Sequence, residues 1–253
     1  MRVSTQPTPA YELYEYYPEC TASSEAHLDQ HEFVVWYRHL GCPPSEVTRS
    51  KGCLSSDELE RAARFRFDSD RNDYIVSRGT LRSLLGATLG IAPHEVRFTY
   101  SQYGKPSLDP GAPANGVNFN LSHSAGIVLL AFARRLRIGI DIEAVRRDFS
   151  TTEIAERFFS PTERTALRQL PHQQRHEAFF RCWTRKEAFI KALGEGLSHP
   201  LDQFDVNLAP GEPAALLATR PAATEAERWA LWNVSVPGNY AAALAIEREI
   251  ARA

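Results

Sequence analysis

Three carboxylates in this sequence stand where they could hold a divalent cation. Asp141 and Glu143 lie one residue apart in IGIDIE, 138–143. Alternate residues of a strand point to one face, so Ile138, Ile140 and Ile142 take one side and Asp141 and Glu143 share the other. The third is Glu187, in WTRKEAFIKALGEGL at 183–197. There Phe179, Cys182, Trp183, Phe189, Ile190 and Leu193 follow a 3.6-residue turn, with Lys186 inside the apolar stripe and Glu187 at its edge. Burying an ammonium and a carboxylate is unfavourable unless partners or a ligand compensate. Carboxylates converging from a strand and a helix suit a hard cation with oxygen ligands. Magnesium fits best, because it keeps several waters and shares its remaining positions between a carboxylate or two and substrate phosphates. Glu187 and Lys191, four apart, can also be read as a plain exposed helix pair worth about 0.3 kcal/mol.

Phosphates accompanying such a cation would need basic or hydroxyl contacts. Ser122-His123-Ser124 falls between two apolar stretches, Lys105 sits in the tight turn YGKP, and Arg61, Arg64, Arg71, Arg78 and Arg82 decorate two helical segments. No Walker loop or GxGxxG is present, and without a GxSxG elbow the Ser/His pair reads as an anion contact rather than a hydrolytic nucleophile.

Periodicity sets out the elements that must position these residues. FVVWYR at 33–38 reads as a strand, followed by a loop through Gly41, Pro43 and Pro44. Ser55 and Glu58 form a capping box that opens a short helix, and 69–89 is a second helix closed by Gly90 and Pro93. Strands are expected near 96–100, 117–121, 126–133 and 137–143. A helix follows at 151–159, a second capping box at Ser160 and Glu163, and a long helix at 173–193. Strands at 204–208, 229–236 and 239–247 complete the chain, with 210–224 as an irregular link and residues 1–30 as a loose extension. VNFNLSHSAGIVLLAFA at 117–133 faintly repeats in WNVSVPGNYAAALAI at 232–246, so each half would pack helices on a small sheet ending in a hairpin-like pair.

Length and charge bound the possibilities. A chain of 253 residues accommodates two modest units with proper cores. Its 29 basic and 31 acidic residues leave a formal charge of −2, which offers no whole-protein attraction to nucleic acid or membrane, so any anion site must be local. Cys20, Cys42, Cys53 and Cys182 form neither a CxxC pair nor a zinc-finger spacing, which fits a reducing, cytoplasmic compartment. The N-terminus shows no signal pattern, and no apolar run is long enough to span a bilayer.

Five strings in this order, YGKP (103–106), FNLSHS (119–124), GIDIE (139–143), FFSPTE (158–163) and WTRKEAFIKALGEGL (183–197), resemble the surfactin-type 4′-phosphopantetheinyl transferases. The resemblance implies an α+β fold of two pseudo-symmetric α/β subdomains, each a small, mostly antiparallel sheet packed with helices, with coenzyme A in the cleft between them. The boundaries would be 31–135 and 136–253, after the extension at 1–30. It also implies a magnesium ion among Asp141, Glu143 and Glu187, and coenzyme A contacts from Lys105, Ser122, His123, Lys186 and Lys191. His123 would lie near the 3′-phosphate and the lysines near the pyrophosphate. Where many relatives have an arginine before the aromatic-aliphatic pair of the second helix, this chain has Asp73, so Arg61, Arg71 or Arg78 is expected to take over the 3′-phosphate. The implied reaction is attack by a serine of an acyl or peptidyl carrier protein on the β-phosphate of coenzyme A. Glu187 would be the base, directly or through a metal-bound water, Asp141 and Lys191 would act beside it, and Glu163 is a second candidate base. The resemblance further implies a monomer. A magnesium-dependent phosphodiesterase and a non-catalytic binder of carrier proteins are the rival readings.

Overall fold

The computed structural model describes residues 13–18, 28, 31–112, 116–147 and 150–248. Strand β1 (Leu13–Glu15) precedes β2 (Phe33–His39), and three helices follow: α1 (Pro44–Lys51), α2 (Ser56–Ala63) and α3 (Asp68–Leu89). A ribbon of β3 (Phe98–Tyr100) and β4 (Pro106–Leu108) then leads to the hairpin of β5 (Val117–Ser124) and β6 (Ile127–Arg134). The second half repeats the plan. Strand β7 (Ile138–Ala144) leads to α4 (Thr152–Phe158), α5 (Pro161–Gln169) and α6 (His172–Leu193). A ribbon of β8 (Phe204–Val206) and β9 (Leu216–Thr219) follows, and then the antiparallel pair β10 (Trp229–Asn233) and β11 (Tyr240–Glu247).

The sheets are ordered β1-β2-β6-β5 and β10-β11-β7. Setting β2, β6 and β5 against β7, β11 and β10 gives the same order, and α3 and α6 are each 22 residues long and close on a left-handed glycine, Gly90 and Gly194. The expected two-fold plan is therefore present in the topology. One apolar core joins the sheets through Val35, Leu129, Ile140, Ile142 and Leu244. Each long helix covers an opposite face. Val76, Leu81 and Leu85 of α3 pack over Trp36, Phe119 and Leu130, and Phe179, Phe189 and Ile190 of α6 pack over Leu231 and Ala243. Gly139 is required where α6 crosses β7, since a Cβ there would lie 2.2 Å from the Ala188 carbonyl oxygen.

Strands β5 and β7 are sheet edges, and they meet without a backbone ladder. Alternate residues of β5 bridge the gap. Asn118 Nδ2 donates to the Leu136 carbonyl at 3.0 Å, Asn120 Oδ1 accepts from the Ile140 N–H at 2.8 Å, and Ser124 Oγ accepts from the Ala144 N–H at 3.1 Å. Edge groups that would otherwise lie buried without partners are thus satisfied by side chains of the other half.

Several local expectations differ from the structure. Pro44 starts a helix rather than continuing a loop, because proline's fixed φ suits a first helical turn as well as it suits a loop. Part of the extension at 1–30 is built in: β1 pairs parallel with β2, Tyr14 stacks on Trp36 at 4.9 Å, and Tyr16 and Leu28 are buried, while most of that segment lies outside the described residues. The link at 210–224 contains β9. No helix among the described residues is long and apolar enough to cross a membrane.

Candidate active site

The ladder on β5 continues upward into chemistry. Ser122 Oγ donates to Asp141 Oδ1 at 2.8 Å, and Ser124 Oγ donates to Glu143 Oε2 at 3.0 Å, so both carboxylates of β7 are oriented by hydroxyls of the other half. From above, α6 supplies Lys191, whose Nζ donates to Asp141 Oδ1 at 2.6 Å and to Ser122 Oγ at 3.0 Å. Glu187, one turn earlier on α6, is close enough that Asp141, Glu143 and Lys191 all act on its charge.

The electrostatics of this group are unbalanced. Burial pushes the Glu187 carboxyl up to about 7, with Asp141 and Glu143 adding to the rise and Lys191 opposing it. Burial also raises Glu143, and Asp141 raises it further. Asp141 is pushed up by burial against the pull of Lys191 and Ser122. Its second oxygen, Oδ2, is buried and has no hydrogen-bond partner. Three mutually repelling carboxylates and one orphaned oxygen are short of positive charge. Among the described residues, no three His, Cys, Asp or Glu side chains are arranged to hold a metal on their own. The donor set nevertheless fits a hard cation that retains water and takes further oxygens from a bound phosphate, since every candidate ligand is a carboxylate and one oxygen is free.

Other residues singled out from the sequence lie near this centre or apart from it. His123 is exposed and lies within electrostatic reach of Asp73, whose carboxyl burial raises and His123 draws back. Arg61 stacks over Tyr74 at 5.4 Å and lines an open cleft with Arg64, Phe65 and Tyr100. Arg78 is not available to a phosphate: with Arg82 it is buried against Glu58, Arg78 Nε donating at 2.7 Å. Arg71 pairs at the surface with Asp68.

Lys186 is the largest departure from the expectation that it meets a pyrophosphate. It is fully buried, its Nζ 2.8 Å from Glu163 Oε1 and donating to the carbonyls of Leu201 and Phe204 at 2.6 and 2.7 Å. Three acceptors match its three N–H groups. Glu163, the second candidate base, is equally committed. Its Oε2 accepts from the Ser160 N–H at 2.9 Å in the capping box, and its Oε1 accepts from the Val206 N–H at 2.8 Å. The pair fastens α5, α6 and β8 to one another. Replacing Lys186 by methionine should therefore destabilise the protein by about 3–5 kcal/mol, the cost of stranding a buried carboxylate, and leave coenzyme A affinity within twofold. Urea unfolding and calorimetric titration check the two halves of this expectation. Lys105 likewise ends on protein, its Nζ donating to the Lys191 carbonyl at 2.5 Å rather than pointing into solvent.

Asn118, Asn120 and Ser124 position the seam, and the two asparagines are site residues beyond those expected from the sequence. Their signal is the alternation N-x-N-x-S-x-S at 118–124 within an otherwise apolar hairpin.

A cation-deficient carboxylate cluster at the junction of two repeated α/β halves, with a lysine and hydroxyls at hand, suits chemistry on phosphate groups. Residues 137–245 match the 4′-phosphopantetheinyl transferase superfamily, and residues 43–135 match the 4′-phosphopantetheinyl transferase N-terminal family. The chain belongs to the 4′-phosphopantetheinyl transferase family. It is 41% identical over 215 residues to the 4′-phosphopantetheinyl transferase HetI of Nostoc, which spans 85% of this chain and 87% of that one. It is 36% identical to the 4′-phosphopantetheinyl transferase Sfp of Bacillus subtilis over 163 residues, 64% of this chain and 70% of that one. A solved holo-[acyl-carrier-protein] synthase from Thermotoga maritima overlays 45% of this chain and 63% of its own at a TM-score of 0.36 and 24% identity.

Proposed function

We propose that this chain transfers the 4′-phosphopantetheine group of coenzyme A to a serine hydroxyl of an acyl or peptidyl carrier protein, at the seam between its two halves. The observation that carries this reading is the grouping of Asp141, Glu143 and Glu187 beside Lys191, with Asp141 Oδ2 left without a partner. The serine oxygen forms a bond to the β-phosphorus of coenzyme A, and the bond from that phosphorus to the bridging oxygen breaks. 3′,5′-ADP leaves with the electron pair. Asp141, Glu143 and Glu187 would hold a magnesium ion, which when bound would neutralise charge on the pyrophosphate.

The protein's own groups account for the rest. Glu187 takes the serine proton. A carboxylate positioned beside the reacting hydroxyl contributes as a general base. Lys191 stands between Asp141 and Ser122 and can turn its remaining donor to a phosphate oxygen. His123 and Arg61, exposed on the first half, are the remaining contacts for the coenzyme's phosphates. Lys186 and Lys105 are left out, because their ammonium groups are satisfied by protein. Both halves, taken as 31–135 and 136–253, supply parts of one site, which suits a protein that works as a monomer.

Intact-protein mass spectrometry of a carrier incubated with coenzyme A and magnesium tests the reading. The expected result is a gain of one phosphopantetheinyl group, abolished when the carrier serine is replaced by alanine. Release of 3′,5′-ADP without any carrier would point instead to a phosphodiesterase, and tight binding with no mass gain to a non-catalytic binder.

A further inference from the structure

The turn joining β3 to β4 belongs to the first half, yet its lysine ends in the second. Lys105 Nζ donates to the carbonyl oxygens of Lys191 at 2.5 Å, Ala192 at 3.3 Å and Ile138 at 3.3 Å. The first two are among the last carbonyls of α6, which have no partner within the helix, and the third lies at the first residue of β7. Three donors meet three acceptors, so the ammonium keeps no N–H for a phosphate. Its surroundings agree: burial, with Arg137 nearby, lowers its pKa to about 8, as befits a cation held by neutral groups alone.

The contact is built rather than incidental. Gly104 adopts φ +79°, and Lys105 is tied back to Ser101 by bonds of 3.0 and 3.1 Å, so the turn presents its lysine in one direction. A Cβ on Gly194, the residue that closes α6, would sit 3.4 Å from Lys105 Cδ, and one on Gly196 would sit 3.7 Å from Tyr103 Cβ. The turn therefore lies against the end of α6, and its cation faces the negative end of that helix.

Lys191 leaves α6 at this same pinned turn, and from there its side chain reaches Asp141 and Ser122 on the seam. We propose that Lys105 is a positioning residue: by capping α6 from the other half it fixes where Lys191 stands for the transfer, and its ammonium is not a contact for the coenzyme's phosphates. The proposal rests on the reading that Lys191 serves the transfer at the seam.

The test is Lys105→Met, which keeps the stem and removes the ammonium. At saturating coenzyme A, kcat should fall about 10- to 100-fold, the range seen when groups that orient an active-site residue are removed, with the Kd for coenzyme A within twofold of wild type. In a Lys191→Ala background the same change should lower kcat no further, because its route to the chemistry is gone. A tenfold weaker coenzyme A Kd would overturn the proposal in favour of direct contact. An unchanged kcat despite a lowered Tm would reduce Lys105 to a stabilising residue, and a full additive loss in the double variant would break the link to Lys191. If Lys191→Ala alone turns over normally, the premise about Lys191 fails, and it fails visibly apart from the Lys105 result. Should Lys105→Met not fold, Lys105→Arg decides. A guanidinium suits a phosphate but does not fit three carbonyls arranged for an ammonium, so a several-fold loss of kcat at unchanged Kd supports positioning, and wild-type kcat overturns it.

Discussion

Replacing Glu187 by glutamine lowers turnover of carrier and coenzyme A by about 10³-fold or more, the scale of a positioned general base compounded by loss of a cation ligand. Glutamine matches the shape of glutamate and makes no new clash, so the folded state should survive. Single-turnover mass spectrometry on protein shown to be folded by circular dichroism measures the effect. Near-normal turnover would return Glu187 to the role of a helix surface residue paired with Lys191.

The same substitution has a stability signature of opposite sign. Glu187 has a carboxyl raised to about 7 in the folded protein without a cation, above its ordinary value of 4.5. Between those values the native state holds a proton that the unfolded chain has already released, so the native state is progressively penalised as pH rises through that window. The penalty is complete above about 7. Glu187→Gln should therefore be more stable than wild type at pH 8 in the presence of a chelator, by about 1–2 kcal/mol after allowance for the group's partial exposure, and indistinguishable from it near pH 4. Magnesium should raise the Tm of wild type and much less that of the variant, closing the gap. A like-charged cluster whose repulsion costs stability until a ligand arrives is the usual mark of a working site.

How much of this was legible beforehand depended on range. The 3.6-residue period placed Lys186 inside the stripe of α6 and Glu187 at its edge, as found. What the period could not decide was which charge faces the seam and which faces the core. Lys186 meets Glu163 through a helix packing that brings together residues far apart in the chain, and the capping box that announced Glu163 gave no hint of its second partner. Lys105 is the same case at greater distance. Its turn was readable from YGKP, but its ammonium ends on a carbonyl 86 residues away. Strands β1 and β9, of three and four residues, carry too few positions to show an alternation, so packing alone reveals them. The polar face of β5 was visible as alternating Asn and Ser, yet only the meeting of two sheet edges explains why a buried strand needs it.

Asp141→Asn should separate binding from chemistry. The wild-type carboxylate holds Lys191 at 2.6 Å and Ser122 at 2.8 Å through one oxygen and leaves the other free. An asparagine keeps the volume and one acceptor but removes a negative charge from a place that coenzyme A must approach with its own. Lys191, no longer neutralised, becomes a better partner for that anion. Coenzyme A Kd is thus expected to stay level or tighten slightly, while kcat falls about 10³-fold, because a ligand for the cation and the anchor for the lysine are lost together. The magnesium concentration for half-maximal residual activity should rise in parallel, since carboxylate oxygens dominate affinity for that ion. Calorimetric titration of coenzyme A alongside turnover at graded magnesium distinguishes this from a folding defect, which would weaken binding and turnover alike. A variant with weakened coenzyme A binding and unchanged kcat would mean that Asp141 serves the coenzyme directly and that the seam is not where the bond is made.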